Sequence, residues 1–400
     1  MGGYRGVLQS GAGVDGGRPY LPAEVGALHW GRLPARGDAP VLTIDPGDEV
    51  VVDTVSHEGI LEDQGRDPVA FFAAHGVDRD AVLEEAAALA ASDHPRDPAT
   101  DGPHVVTGPI HVRGARPGDL LQLTVLDTTP RVPYGVISNR HGRGALPGEF
   151  PRGEGNVSVF APIEQGAGGD WFGALPLDDG AERVVRFPLA PFFGIMGVAV
   201  DADVRPHSVP PGAHGGNIDI RLLTEGASLY LPVQVPGALA YLGDPHFAQG
   251  DGEVALTALE ASLRGTIRFD VVAREDAVRE FGDVAAPLAE TSEYLVPTGM
   301  DEALDVAMQD CVRRAVALLG ARYGMAPHLA LAYLSAATDF DISQVVDLVK
   351  GVHARIRTAD FREVPGFTEY QLQAVMQSLT MEELNHIWTT QGGETAYRLS

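Results

Sequence analysis

An apolar, β-branched run, a Pro-Gly-Asp turn and a second such run occur twice in the first third of this chain. That unit restricts the possible folds more than any other feature of the sequence. In the first copy, residues 41–44 and 49–52 flank Asp45-Pro46-Gly47-Asp48; in the second, within 110–126, residues 111–112 and 120–125 flank Gly114-Ala115-Arg116-Pro117-Gly118-Asp119. Pro presets the backbone for a turn and Asp satisfies its exposed amides, so each unit reads as a hairpin. Breakers stay dense along the whole chain, 48 Gly and 29 Pro among 400 residues, more than a helical bundle tolerates. The expectation is therefore an α+β, β-rich fold of hairpin-built β-domains with a helical insertion and C-terminal helices.

Three regions are expected: an N-terminal β-domain over 1–130, a central β-rich domain over 131–295 that carries the site, and a helical region over 296–400. The insertion lies at about 67–92, where 68–75 and 81–91 carry Ala, Leu and Phe at helical spacing behind the cap candidates Asp67 and Asp80. It closes at Gly102-Pro103-His104, which leaves His57 and His104 at the edges of structure. Apolar residues three to four apart predict further helices over 301–323, 327–337 and 343–350. Thr380 and Glu383 form a capping box inside a last amphipathic stretch, 368–388, whose Leu372, Val375, Leu379 and Ile387 predict packing on another subunit or on the β-core.

The net charge of −26 argues against nucleic acid and anionic membrane as partners. The longest apolar run, 189–200, contains a proline and two glycines and is too short to span a bilayer, and the N-terminus lacks the charged-then-apolar order of a secretory leader. A single cysteine, Cys311, allows no internal disulfide and suits a reducing compartment. A soluble, cytoplasmic protein is expected, with Cys311 as a core residue of a helix.

Acids, histidines and glycines concentrate in two clusters between 213 and 260. One is Ala213-His214-Gly215-Gly216-Asn217-Ile218-Asp219; the other is Gly243-Asp244-Pro245-His246-Phe247-Ala248-Gln249-Gly250-Asp251-Gly252-Glu253, followed by Glu260. The stretch 227–235 between them reads as a strand with the clusters at its two ends. Carboxylates and imidazoles bind hard or borderline cations and move protons. No Gly-Lys-Ser/Thr phosphate loop, paired-cysteine zinc site or Gly-x-Ser-x-Gly elbow is present. Metal-assisted hydrolysis, with one or two divalent ions, is the chemistry these residue types allow. A second polar stretch, Asn139-Arg140-His141, reads as a loop that binds a carbonyl or carboxylate or orders a neighbouring chain.

Thr107-Gly108-Pro109-Ile110, the Gly114–Asp119 turn, Gly215-Gly216-Asn217-Ile218-Asp219 and above all the Gly-Asp-x-His-x-x-Gln-Gly-Asp-Gly-Glu run resemble the acetamidase/formamidase family over about 28–360. The resemblance implies hydrolysis of a small carboxamide to carboxylate and ammonia, association with a divalent metal ion (zinc before calcium or magnesium) and a homo-oligomer. Carried onto the motif, it makes Asp244 and His246 metal ligands, with Asp219 and His104 next. Glu253 becomes the general base with Glu260 and Glu58 as rivals, while Asn217 and Gln249 orient the amide or donate to the oxyanion. The insertion and the tail depart from the simplest pattern and leave two alternatives, a cyclic amide or imide as substrate and a metal- or ligand-binding protein without turnover.

Overall fold

The computed structural model describes residues 6–364 apart from 15, 179, 181 and 182. The expected β-rich α+β class holds: the described strands form one sheet of nine and one of eleven. The nine-stranded sheet runs in the order Tyr20–Leu21, Glu49–Asp53, Leu263–Val272, Leu120–Pro130, Ser228–Pro232, Leu288–Glu290, Tyr294–Asp301, Lys350–Arg357 and Asp339–Gln344. The second sheet is centred on Ala240–Ala248, which pairs with Phe192–Gly197, Val105–Val112 and Leu259–Glu260. Around this centre, strands distant in sequence are neighbours.

The two Pro-Gly-Asp units depart from the hairpin expectation. Leu42–Ile44 and Val105–Val112 lie in the second sheet, whereas Glu49–Asp53 and Leu120–Pro130, just beyond the turns, lie in the first. Each turn is a corner between sheets. Asp48 and Asp119 still accept from the amides three residues earlier, at 2.9 and 3.0 Å, but the turn glycines donate outward, Gly47 to Phe269 O and Gly118 to Val233 O. Those outward bonds tie the corner to the first sheet and take the place of the ladder a hairpin would close. Leu123, Val125, Leu229, Ile267 and Phe269 are fully buried in the main core, each contributing about 1.5–3 kcal/mol by leaving water.

Both insertion helices form, as Pro68–Ala73 and Glu84–Ala91. Asp67 caps the first through Ala70 N at 3.0 Å. Asp80 caps nothing; it lies inside the short turn Arg79–Ala81, and the helix after it starts at Leu83 without a side-chain cap. The C-terminal helices are Leu304–Tyr323 and Pro327–Ala337, with Cys311 buried and its Sγ 3.3 Å from Pro297 O. The helix expected over 343–350 is absent: this segment is the end of Asp339–Gln344, a loop, and the start of Lys350–Arg357. Its apolar spacing comes from Val345, Val346 and Leu348, which line a cleft. The stretch 368–388 lies outside the described residues. No helix among the described residues is long and apolar enough to cross a membrane.

One buried ion network ties the insertion to the core. Arg131, fully buried, bonds Glu85 on the second insertion helix at 2.7 Å, Thr54 O at 3.1 Å and Leu8 O at 3.0 Å, and lies 3.4 Å from Asp53. Arg264 closes on Asp53 at 2.6 and 2.8 Å. The chain leaves this clamp directly into Ser56, whose amide donates to Ser262 Oγ at 3.0 Å, and so His57 and Glu58 are delivered to fixed positions. Arg131→Met strands the buried Glu85 carboxylate and leaves Asp53 paired with Arg264, and breaking a buried pair typically costs about 3–5 kcal/mol. The expected result is a lower urea midpoint; an unchanged midpoint would show that the network contributes nothing net.

Candidate active site

Asp244 and His246 alternate along Ala240–Ala248 and so share a face, placing His246 Nε2 3.1 Å from Asp244 Oδ2. They lie within the strand, so the second cluster is not at a strand mouth. Glu260 is the Cα partner of His246 on the adjacent strand, and its Oε1 comes within 3.0 Å of the same Nε2. On the other edge, Gly243 pairs with Val106, which sets His104 beside Asp244 at 3.9 Å. His57 arrives from the clamp with Nδ1 3.4 Å from Asp244 Oδ1 and Nε2 3.4 Å from Glu58 Oε1. The two histidine rings meet edge to face at 5.3 Å.

Asp219 and Glu253 complete the buried group from two loops. Asp219 follows the strand Gly215–Asn217 and is anchored by its amide on Gly194 O at 3.2 Å. Any side chain at 194 would run into Asp219 Oδ1, His246 Cε1 and Asp244 Oδ2, so glycine there leaves the space in which these groups converge. Asp219, Asp244 and Glu253 all have positive φ, +48°, +49° and +46°. Each such residue stores about 1–3 kcal/mol that the surrounding packing must hold, a pattern typical of working sites.

Three of the four donor groups among the described residues fall in this cluster: His57 with His104 and Asp244; Asp219 with His246 and Glu253; Asp244 with His246 and Glu260. All are buried. Both carboxylate oxygens of Asp219, Glu253 Oε2 and Glu260 Oε2 have no hydrogen-bond partner, and the His57 nitrogens and Asp244 Oδ1 meet nothing closer than the 3.4 Å ion pairs above. Unsatisfied polar atoms at this density are expensive unless something else occupies the centre. The donors are N and O atoms only, which suits zinc or a harder divalent cation.

Gln249 has a different role from the one expected. Its amide nitrogen donates to Asp219 O at 2.9 Å and Ser343 O at 3.1 Å, so Oε1 must face His246 Nδ1, 3.0 Å away, as acceptor. The Nδ1 proton is thereby fixed and Nε2 is turned toward Asp244 and Glu260, the arrangement that orients a metal-binding imidazole. With its amide committed in this way, Gln249 is not available to orient a substrate. Asn217 is buried with Oδ1 unpartnered, but it does not line the cleft described below.

Asp347 was not singled out by the sequence. It sits in the loop after Asp339–Gln344, buried, with its amide held by Gln344 Oε1 at 3.0 Å, and its charge acts on Glu253 and Asp219. Nothing in the motif points to it; only the strand pairing brings the loop against the 250–253 turn, where Gly252 N donates to Ser343 O.

Burial pushes the carboxyls of Asp219, Glu253 and Asp347 well above the usual range, and their mutual repulsion adds to it. Glu260 is raised by burial and by Asp244. Asp244 goes the other way: burial opposes its charge, but His104, His246 and His57 hold it well below the usual value. Burial likewise opposes charge on His57, yet Asp244, Glu58 and Glu260 raise its pKa to about 10, while burial keeps His104 neutral with a pKa of about 4. The cluster holds more carboxylate than its imidazoles can neutralise. Protons fill the deficit, and a divalent cation would take their place.

The cluster meets solvent through a cleft of about 660 Å3, lined on its inner side by His57, His104 and Asp347. Arg140 belongs to this wall. It ends the strand Tyr134–Arg140 instead of sitting in a loop, pairs with Asp63 at 2.6 Å and lies 3.9 Å from Glu58. Asn139 and His141 are tied to the backbone oxygens of Ala255 and Pro151.

The profile of the acetamidase/formamidase family matches residues 84–207 and 202–358. A formamidase of Methylophilus methylotrophus is 30% identical over 239 residues, 50% of this chain and 58% of that protein. An acetamidase of Mycolicibacterium smegmatis is 31% identical over 199 residues, 38% of this chain and 49% of that protein. The chain thus spans about half the length of these relatives. The crystal structure of an acetamidase from Bacillus halodurans superposes with a TM-score of 0.66 at 25% identity, covering 86% of this chain and 99% of that one. An acetamidase from Yersinia enterocolitica shares the fold, with a TM-score of 0.67 at 24% identity over 87% of this chain and 94% of that one.

Proposed function

The chain belongs to the acetamidase/formamidase family, and from that premise we propose that it is an amidase that hydrolyses a linear carboxamide to carboxylate and ammonia. The observation that carries this reading is the buried, under-bonded set of acids and histidines at the inner end of a cleft. The groups around Asp244 and His246 would hold a divalent ion, with His104 and His57 on the cleft side and Asp219 on the other. Such an ion supplies polarisation of the amide carbonyl and acidification of water.

The chain's own residues do the remaining work. Gln249 holds the His246 tautomer, and Gly194 leaves room for the carboxylates to converge. Glu253, whose Oε2 has no partner, takes a proton from the attacking water. As the carbon–nitrogen bond breaks, that proton passes to the leaving nitrogen, which departs as ammonia. Asp347 is the second carboxylate on the same side and reaches the cleft wall itself. The reading includes a homo-oligomer in a reducing cytoplasm, in keeping with the single, buried thiol of Cys311.

Ammonia release from formamide and acetamide, with and without chelator, tests the reading. Turnover abolished by chelator and restored by added zinc is the expected result; no ammonia from either amide counts against it. Gln249→Ala frees the His246 ring and is expected to weaken metal binding by about 10–100-fold. A metal titration reads this directly, and equal affinity in parent and variant would remove Gln249 from the site.

A further inference from the structure

Formamide and acetamide do not account for the cleft. Acetamide has four heavy atoms and needs on the order of 100 Å3 at the ~30 Å3 a water molecule takes up in the liquid. The cleft measures about 660 Å3, the size of a pocket for a much longer ligand. Its lining includes the aliphatic side chains of Leu61, Val209, Leu256, Val345, Val346 and Leu348. A substrate with an apolar body beyond the amide would fill it.

The charges at the outer end are selective. Besides Asp347, three acids line the cleft, and each is taken by an arginine: Glu62 by Arg96 at 2.7 Å, Asp63 by Arg140 at 2.6 Å and Asp101 by Arg32 at 2.7 Å. Two lining cations, Arg143 and Lys350, have no carboxylate partner among the described residues. Lys350 is also the only lysine in the 400 residues, in a chain that uses arginine at every other cationic position. Its Nζ donates to Leu348 O at 3.2 Å, on the same loop that carries Asp347. A compact ammonium with free donors thus stands three residues along the chain from Asp347, with at most about 11 Å between the two Cα atoms. In a chain of net charge −26, two uncommitted cations lining one cleft mark a place for an anion.

We propose that the substrate is an aliphatic carboxamide bearing a carboxylate at its far end, with the amide at the buried cluster and the carboxylate between Lys350 and Arg143. The inference rests on the amidase reading of the same site. The half-amides of succinate, glutarate and adipate, compared with neutral amides of equal length, test it. The best half-amide is expected to exceed its neutral counterpart in kcat/KM by at least about tenfold, and Lys350→Met to lower that ratio by about 10–100-fold, the range for losing a hydrogen bond to a charged group. Lys350→Arg should restore most of it. A neutral amide preferred over every half-amide, or a Lys350→Met effect equal on both, overturns the proposal.

Calorimetry with glutarate separates the two readings. If no amide is hydrolysed but glutarate binds and Lys350→Met weakens that binding by about tenfold or more, the anion site stands and the amidase reading falls. If amides are hydrolysed and glutarate does not bind, the anion site falls and the amidase reading stands.

Discussion

Asp244→Asn is expected to purify without its divalent ion and with its fold intact. Asp244 belongs to two of the donor groups, and its carboxylate is the one approached by His57, His104 and His246 together. It is also the acid that stays ionised despite burial, with the protonated imidazoles of His246 and His57 beside it. Removing its charge should lower metal affinity by more than the loss of a supporting contact does, hence at least about 100-fold. Asparagine adopts positive φ more readily than most residues, so the backbone at +49° survives the change. Elemental analysis of parent and variant is the first measurement. Thermal unfolding with added zinc is the second: a ligand at 100 times its Kd stabilises the native state by about 2.7 kcal/mol, a gain the variant should not show. A parent that carries no metal, melts identically with and without zinc, and keeps its turnover in chelator would end the metal reading.

How much of this was legible beforehand differs from element to element. The β-rich class followed from glycine and proline density, which excludes long helices wherever it occurs. Asp244 and His246 share a face because a strand has a period of two, but that follows only once the cluster is known to lie within Ala240–Ala248 and not at the end of another strand. The Pro-Gly-Asp units were correctly read as turns but wrongly as hairpins, because nothing local distinguishes a turn that closes a ladder from one that changes sheet. The difference lies in where Gly47 and Gly118 send their amides, to Phe269 and Val233, far away in sequence. His57, His104 and Asp347 reach the cluster through long-range pairing as well. Asp347 was hidden further by Val345, Val346 and Leu348, whose spacing imitates a helix face although they line a cleft wall.

Gln249 shows that a motif can locate a residue without giving its task. Its place in the Gly-Asp-x-His-x-x-Gln run marked it as part of the site, and it is 3.0 Å from His246. Only the two backbone carbonyls that absorb its amide protons reveal that it faces the imidazole, one of them from Ser343 in a different part of the chain. Residue type and spacing carry the chemistry available; the hydrogen bonds decide which partner uses it.

Glu253→Gln should keep metal and fold and lose turnover by about two to four orders of magnitude, the usual cost of removing a general base. A small amide offers little surface to bind, so the rate gain must come from polarising its carbonyl and from placing and deprotonating water. Glu253 is suited to the second task, with an unpartnered Oε2 beside Asp219 and His246. Glutamine matches its length and its demand on the backbone at +46°, so a loss of rate cannot be assigned to unfolding if the melting curve is unchanged. Bound metal equal to the parent's separates a base from a ligand: if Glu253→Gln loses the ion, Glu253 is a ligand. Asp347 is the rival, because it lies on the cleft wall while Glu253 stands behind it. Parental turnover in Glu253→Gln with a 100-fold or greater loss in Asp347→Asn would move the base to Asp347. Losses in both, with the metal retained in both, would mean that the proton crosses from the cleft to Glu253 through Asp347, and the double variant should then be no slower than the worse of the two single ones.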